Sequence, residues 1–218
     1  MLKGILLALM AVFPAVSAAQ LAPKDILAKN KDAIVQIFVN GVFSGTGFIV
    51  SKDGLIATAN HVVTTRISNY SEFFPDIKIK ITRDSRDHFA RSMLPVTNES
   101  KIHDVAILKI EAAELPTVVI GDWTEVQEAD PITVISSLRG YGDHLIVTGI
   151  VSGKGEDILP DAPRRRTIIF QAPVRGGFSG SPLFSSSSGH VIGIVTTKVF
   201  GISDELQASE TKLSRATE

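Results

Sequence analysis

Residues 176–182 read Gly-Gly-Phe-Ser-Gly-Ser-Pro, and this stretch indicates most about the fold and chemistry of the chain. It puts Ser179 between glycines, in a turn whose backbone N–H groups can converge on one point. A serine nucleophile with its own oxyanion hole is built in this way. Serines flanked by glycines are also common in ordinary turns, so the stretch does not establish a catalytic role by itself.

Two upstream segments offer the groups that would activate a serine. Residues 57–63 read Ala-Thr-Ala-Asn-His-Val-Val and supply His61 as a base, and residues 103–108 read His-Asp-Val-Ala-Ile-Leu and supply Asp104 as a carboxylate. A lone histidine after an apolar run usually has a packing or surface role. Chain order, strand context and glycine placement are independent requirements of one mechanism, however, and together they predict a triad of His61, Asp104 and Ser179.

The choice of Asp104 has two alternatives, which are its neighbour His103 and the upstream pair Asp87 and His88. If residues 103 and 104 lie in a strand, their side chains point to opposite faces, so only one of them can face the site. We expect that one to be Asp104. The pair Asp87 and His88 has the same adjacency, but it is predicted to lie in a charged loop between two strands and is the weaker candidate.

Composition excludes several function classes. The chain has 218 residues with 22 basic and 23 acidic side chains, a net charge of -1, so no overall field attracts nucleic acid or an anionic membrane. The one basic run, residues 164–166, follows a proline-rich connection and is interpreted as a solvated loop. The absence of cysteine excludes disulfides and a thiol nucleophile. The five histidines are scattered without metal-ligand spacing, so we expect no metal and no cofactor.

The first 19 residues have the pattern of an export signal. Lys3 supplies positive charge, residues 4–12 are apolar, and residues 16–20 are small enough for cleavage after Ala18 or Ala19. The apolar stretch is shorter than the roughly 20 residues that span a bilayer. The pattern predicts an exported protein without stable membrane insertion; the alternatives are an uncleaved anchor or a buried helix.

Short β-branched and aliphatic runs separated by glycine, proline and polar turns predict an all-β fold of barrels or sandwiches. A short helix is predicted over 23–30, and residues 51–54 predict a hairpin turn because Asp-Gly tolerates positive φ. The predicted domains are a signal peptide at 1–19, an N-terminal barrel with His61 and Asp104 at 20–115, a C-terminal barrel with Ser179 at 116–202, and a tail at 203–218. Strands are predicted near 34–39, 47–50, 55–59, 77–81, 89–96, 105–110, 132–136, 145–151, 167–172, 182–184 and 191–199.

Three segments carry a family resemblance. Residues 45–50 (Gly-Thr-Gly-Phe-Ile-Val), 53–63 and 104–110 resemble the HtrA/Deg branch of the bacterial trypsin-like peptidases, while the nucleophile stretch is more similar to glutamyl-endopeptidase-type enzymes of the same fold. The resemblance covers residues 34–197. It implies the chymotrypsin-like fold, which is two perpendicular six-stranded antiparallel β-barrels with the active site between them.

The resemblance also implies roles for individual residues. Ser179 would be the nucleophile, His61 the general base and Asp104 its orienting carboxylate, and the backbone N–H groups of Gly177 and Ser179 would form the oxyanion hole. The primary specificity pocket would be lined by Pro173 and Val195, with Arg175 near its rim, and the extended substrate would pair with Val195, Thr196 and Thr197. An apolar lining favours a small or medium aliphatic side chain. Glutamyl-specific relatives carry a histidine at position 195, so glutamate preference is not expected.

Two departures from the family pattern matter. Phe178 stands where a small polar residue is usual, and its ring must be packed without disturbing the oxyanion loop. About twenty residues follow Val199, too few for a PDZ domain of about 80–100 residues, so the trimer-based regulation of PDZ-bearing relatives is not expected here. The tail is predicted to be either a helix capped by Ser203 or disordered. The sequence indicates no oligomeric state.

The predicted function is therefore that of an exported serine endopeptidase acting on polypeptides. The alternative is a pseudo-protease that keeps the fold and binds a peptide or cell-envelope partner, and Phe178 is the residue that favours it. An esterase or lipase would require a Gly-x-Ser-x-Gly elbow and the chain order Ser, Asp, His, neither of which is present.

Overall fold

The described residues form two closed antiparallel barrels of six strands each, as the sequence predicts. A computed structural model describes residues 20–67, 70–81, 87–93, 103–138, 143–157, 165–196 and 213–217. The predicted signal peptide at 1–19 lies outside these residues.

The N-terminal half begins with a helix and continues as the first barrel. The elements are α1 (Pro23–Asn30), a 3-10 turn (Lys31–Ala33), β1 (Ile34–Val39), β2 (Val42–Ile49), β3 (Leu55–Ala59), α2 (Asn60–Val63), β4 (Thr64–Ile67), β5 (Tyr70–Phe73), β6 (Ile77–Ile81), β7 (Asp87–Ser92) and β8 (Val105–Lys109). The order around the barrel is β1-β2-β3-β8-β7-β6, and β4 and β5 form a separate two-stranded sheet.

The C-terminal half forms the second barrel. After a 3-10 turn (Trp123–Glu125), its strands are β9 (Pro131–Ser136), β10 (Leu145–Asp157), β11 (Arg165–Gln171), β12 (Pro182–Ser185), β13 (Val191–Thr196) and β14 (Leu213–Thr217). Their order around the barrel is β10-β11-β14-β13-β12-β9.

Each barrel is filled by β-branched and aromatic side chains, because alternate residues of every strand face inward. In β6, for example, Ile77, Ile79 and Ile81 are buried while Lys80 is exposed. The first core extends into the second barrel, since it includes Ile135 and other side chains of β9, β12 and β13. The two barrels are therefore packed against one another through apolar contacts.

Helix α1 has the predicted bounds and ties the two barrels together. Pro23 stands at its first position, where proline is favoured, and Ile26 is buried. The preceding Leu21 N–H donates to the Ser186 carbonyl at 2.8 Å, and His144 Nε2 lies 2.8 Å from the Lys31 carbonyl that follows the helix. No helix in the described part of the chain is long and apolar enough to cross a membrane.

Several predicted boundaries are wrong, and the largest correction is at the C-terminus. Residues 213–217 form strand β14 between β11 and β13, where the sequence predicted a helix or a disordered tail. Residues 197–212 lie outside the described part. The pair β4 and β5 was not predicted, β2 begins at Val42, and β10 continues to Asp157. Arg166 of the basic run lies in β11 with its guanidinium 5.4 Å from the Trp123 ring, so this residue is part of a strand and not of a loop.

Candidate active site

Strand register brings His61 and Asp104 together. Strands β3 and β8 are antiparallel neighbours, with Ala59 opposite Val105. His61 follows the end of β3 by two residues, on the short helix α2, and Asp104 precedes β8 by one residue. Both side chains consequently lie at the same edge of the first barrel, and the prediction that His61 sits just beyond a strand end is confirmed.

The Asp104 carboxylate holds His61 at two points. His61 Nδ1 lies 2.7 Å from Oδ2, and the backbone N–H of His61 donates to Oδ1 at 3.0 Å. The carboxylate side chain is 3% exposed and the imidazole 33%. Because a carboxylate accepts, Nδ1 is the donor, and the neutral ring then carries its basic lone pair on Nε2. This tautomer is the one that a general base in a serine mechanism needs.

Asp104 reaches this position through an unusual backbone conformation. Its φ is 56°, in the left-handed region that aspartate tolerates better than most residues, and its carbonyl accepts the Asn60 N–H at 2.9 Å. Because Asp104 precedes the strand, its direction is set by this turn and not by the strand alternation assumed in the sequence analysis. The competing Asp87 and His88 lie in β7, opposite Lys80 and Ile79 of β6.

Ser179 lies on the loop between β11 and β12. Hydrogen bonds anchor this loop to β13. The Gly180 N–H donates to the Val195 carbonyl at 2.8 Å, and the Val195 N–H donates to the Ser181 carbonyl at 2.8 Å. Within the loop, the Phe178 N–H donates to the Arg175 carbonyl at 3.1 Å. Ser179 is 7% exposed, so neighbouring atoms cover most of this residue.

Two glycines of the loop adopt conformations that favour glycine. Gly177 has φ 93° and Gly180 has φ 83°. A Cβ on Gly177 would overlap Leu138 Cδ2, and a Cβ on Gly180 would overlap the Thr46 carbonyl oxygen. The sequence expectation that glycine is needed beside Ser179 therefore has both a conformational and a steric reason.

The Phe178 ring points away from the loop that carries Ser179. It is fully buried in the core of the second barrel, within the cluster that also contains Leu138, Val174 and Leu183. The bulky side chain beside the nucleophile is thus accommodated as a core residue. Its presence does not require the loop to open.

Three consecutive residues of β2 connect the histidine segment with the serine loop. Ser44 Oγ donates to the Val62 carbonyl at 2.6 Å, and the Thr46 N–H donates to the Ser179 carbonyl at 3.0 Å. Between them, a Cβ on Gly45 would lie 2.8 Å from Val62 Cγ2 and 2.9 Å from the Ser179 carbonyl oxygen. Val62, the neighbour of His61, and the Ser179 carbonyl therefore both lie against β2 at Gly45. Ser44 and Thr46 were not predicted to contribute to the site, although two hydroxyls alternating with glycines in an otherwise apolar strand were the available signal.

The residues expected to bind substrate fall into two groups. Pro173 and Arg175 are exposed beside the nucleophile loop. Val195 is 0% exposed, and Thr196 is 5% exposed, so the side chain of Val195 is part of the barrel core. Thr197 lies outside the described residues. In the described part of the chain, no three histidine, aspartate or glutamate side chains are grouped as metal ligands.

The chain is similar to known serine proteases in sequence and in fold. A profile of the trypsin-like peptidase domain matches residues 45–194. The chain is 37% identical over 156 residues to a probable periplasmic serine endoprotease DegP-like of Pseudomonas fulva (strain 12-X), a match covering 69% of this chain and 28% of that protein. A protein of the same name from Hahella chejuensis (strain KCTC 2396) is 34% identical over 151 residues, covering 69% and 29%. The chain thus spans less than a third of the length of these relatives.

Solved structures show the same fold. The HtrA-type protease AlgW with decapeptide superimposes with a TM-score of 0.69 at 19% identity, covering 90% of this chain and 64% of that one. AlgW with tripeptide gives a TM-score of 0.68 at 23% identity, covering 90% and 59%.

Proposed function

The chain belongs to the trypsin-like peptidase family, and from this premise we propose that it is a serine endopeptidase that cleaves polypeptides through an acyl-enzyme. The observation that carries the proposal is the pair of contacts from Asp104 to the backbone and the ring of His61, at the edge of the barrel where β2 also binds the Ser179 loop. A buried carboxylate held against one histidine in this way has a direct use in serine catalysis.

Each residue of the proposed triad has one role in the reaction. The Ser179 Oγ attacks the carbonyl carbon of the scissile peptide bond while His61 Nε2 takes the hydroxyl proton. The tetrahedral intermediate expels the amine, which receives that proton from His61, and leaves an acyl group on Ser179. A water molecule then repeats the two steps and releases the carboxylic acid. Asp104 keeps His61 in the required tautomer and stabilises the imidazolium that forms.

We assign the oxyanion hole to the backbone N–H groups of Gly177 and Ser179. The close packing of Leu138 against Gly177 supports this assignment, because it restricts the space available to the residue that must donate. Fixed donors of this kind stabilise the negative charge that develops on the carbonyl oxygen.

The decisive experiment labels the folded protein with a fluorophosphonate probe and maps the modified residue. Modification at Ser179 is expected, and Ser179→Ala and His61→Ala should lower kcat for casein cleavage by about 10⁴- to 10⁶-fold. Circular dichroism of both variants controls for folding. Wild-type turnover by pure Ser179→Ala protein, or modification of another serine, would refute the proposal.

The binding-module alternative depended on Phe178, and its burial in the second core weakens that reasoning. The two functions are separated by the same experiment. Folded wild-type protein that is neither labelled nor proteolytic would favour a peptide-binding pseudo-protease.

We also propose a side-chain specificity and a cellular location. A small or medium aliphatic side chain is proposed for the primary pocket, with Pro173 and Arg175 at its entrance. Val195 is fully buried, and its N–H and carbonyl bond to Ser181 and Gly180, so we propose that the extended substrate pairs with the backbone of Thr196 and not with that of Val195. A periplasmic location is proposed from the signal-like residues 1–19 and from the relatives named periplasmic endoproteases.

A further inference from the structure

Two buried hydroxyl groups contact the loop that carries Ser179, where the two barrels meet. Thr46 belongs to β2 of the first barrel and Ser136 ends β9 of the second, and both are 0% exposed. Their oxygens are 2.9 Å apart. Both also lie within hydrogen-bond distance of one carbonyl in the loop, that of Gly177, with Thr46 Oγ1 at 3.1 Å and Ser136 Oγ at 3.3 Å.

Counting protons gives the direction of these hydrogen bonds. Thr46 Oγ1 also lies 3.3 Å from the Ser137 N–H, which can only donate. A hydroxyl has one proton and two lone pairs, so Thr46 Oγ1 is fully used when it accepts from Ser137 N–H and from Ser136 and donates to the Gly177 carbonyl. If Thr46 instead donated its proton to Ser136, the 3.1 Å contact from Thr46 Oγ1 to the Gly177 carbonyl would have no proton.

This arrangement fixes the peptide group that joins Gly177 to Phe178 at both ends. Its carbonyl oxygen receives the Thr46 hydroxyl, and its N–H donates to the Arg175 carbonyl at 3.1 Å. The Thr46 backbone N–H also binds the Ser179 carbonyl at 3.0 Å. Thr46 therefore touches the loop on both sides of Phe178, at the two residues whose N–H groups form the proposed oxyanion hole.

We propose that Thr46, supported by Ser136, is a positioning residue that sets the direction of the oxyanion-hole donors from the opposite barrel. The inference rests on the proposed function. Without the hydroxyl, the peptide between Gly177 and Phe178 loses its restraint on one side, and Gly177 has little intrinsic preference to keep its φ of 93°. Neither hydroxyl touches His61, so proton transfer should be unaffected.

The test compares Thr46→Val, Thr46→Ser and Ser136→Ala in the full chain, using the kinetics of fluorophosphonate labelling. Thr46→Val keeps the shape of the side chain and removes the hydroxyl. We expect its limiting rate of labelling to fall about 10- to 100-fold, because a misdirected oxyanion donor is felt at the transition state, while the half-saturating probe concentration changes by less than about twofold. Thr46→Ser should restore most of the rate. The pH at which labelling is half-maximal should match the wild type.

Thr133→Val is the matched control. Thr133 is a buried threonine of β9 whose hydroxyl lies 3.4 Å from Ser186 Oγ, so the same substitution removes a similar buried contact away from the nucleophile loop. It should label at the wild-type rate.

The outcomes separate this inference from the proposed function. If wild-type protein is not labelled, the proposed function fails and this inference fails with it. If wild-type and Thr46→Val proteins are labelled at equal limiting rates, or if Thr46→Ser is as slow as Thr46→Val, only the positioning role is overturned. Should Thr46→Val not fold, Ser136→Ala decides: a reduced limiting rate supports the inference and an unchanged rate overturns it.

Discussion

The two sides of the proposed active site are held in different ways. The His61 side is built inside one barrel, from the adjacent ends of β3 and β8, and the buried Asp104 carboxylate alone accounts for two of its hydrogen bonds. The Ser179 side belongs to the second barrel, but its loop is also bound from the first barrel by Thr46. His61 is therefore positioned by its own barrel, whereas Ser179 and its loop depend on how the barrels meet.

This difference predicts which part of the site each substitution should affect. A change on the base side should affect proton transfer and leave the rest of the site intact. A change at the barrel contact should affect the nucleophile loop first.

Asp104→Asn breaks the base side alone. An amide can donate to Nδ1, which would favour the tautomer with its proton on Nε2 and remove the base, so we expect kcat to fall about 10⁴-fold, equivalent to about 5 kcal/mol. Peptide or casein hydrolysis measures the loss. Asp87→Asn is the matched control, because Asp87 lies in β7 at a surface ion pair with Lys78 and should keep wild-type activity. Equal losses in the two variants would contradict the assignment of Asp104.

Phe178→Ala breaks the packing beneath the nucleophile loop. A fully buried phenylalanine leaves a cavity when truncated, and the free energy of unfolding should fall by about 3–5 kcal/mol. Phe89→Ala is the control: that ring is 71% exposed, and its removal should change stability by less than about 0.5 kcal/mol. Denaturant unfolding followed by fluorescence of Trp123, or by circular dichroism, measures both. Similar losses of unfolding free energy in the two variants would mean that Phe178 does not pack in the core of the second barrel.

The same division explains which parts the sequence could predict. Helix α1 and strands β1, β3 and β6 have the predicted bounds because local signals define them, such as Pro23 at the helix start and the alternating Ile-Lys-Ile-Lys-Ile of β6. The meeting of His61 and Asp104 was predictable from chain order and resemblance, since both flank strands with clear apolar patterns. Its geometry, including the left-handed backbone of Asp104, was not.

Features that depend on distant pairing were missed. Strand β14 reads Leu-Ser-Arg-Ala-Thr, which has a weak apolar pattern and becomes a strand by pairing with β11 and β13. The contact between Thr46 and Ser136 joins residues 90 positions apart, so no local pattern indicates it. Phe178 was interpreted as a difficulty for the loop because the sequence does not show on which side of the chain its ring packs.

The smallest expected effect concerns the contact between the 3-10 turn after α1 and the second barrel, and it is seen in the pH dependence of stability. Burial lowers the pKa of His144 from its ordinary value of 6.5, although the hydrogen bond from Nε2 to the Lys31 carbonyl acts in the opposite direction. The folded protein therefore binds this proton less readily than the unfolded chain does. His144 contributes stability that is present above about pH 6.5 and is lost as the pH falls through its lower value in the folded protein.

His144→Gln tests this contribution, because glutamine retains an N–H that can reach the Lys31 carbonyl but does not titrate. Between about pH 7 and pH 5, the free energy of unfolding of the wild type should decrease more steeply than that of His144→Gln, since only the wild type can take up a proton at residue 144 on unfolding. His144→Ala should show the same shallow slope at lower stability at neutral pH, because it also loses the hydrogen bond. Identical slopes in wild type and His144→Gln would show that the imidazole titrates alike in both states. The contact between α1 and the second barrel would then add no pH dependence of its own.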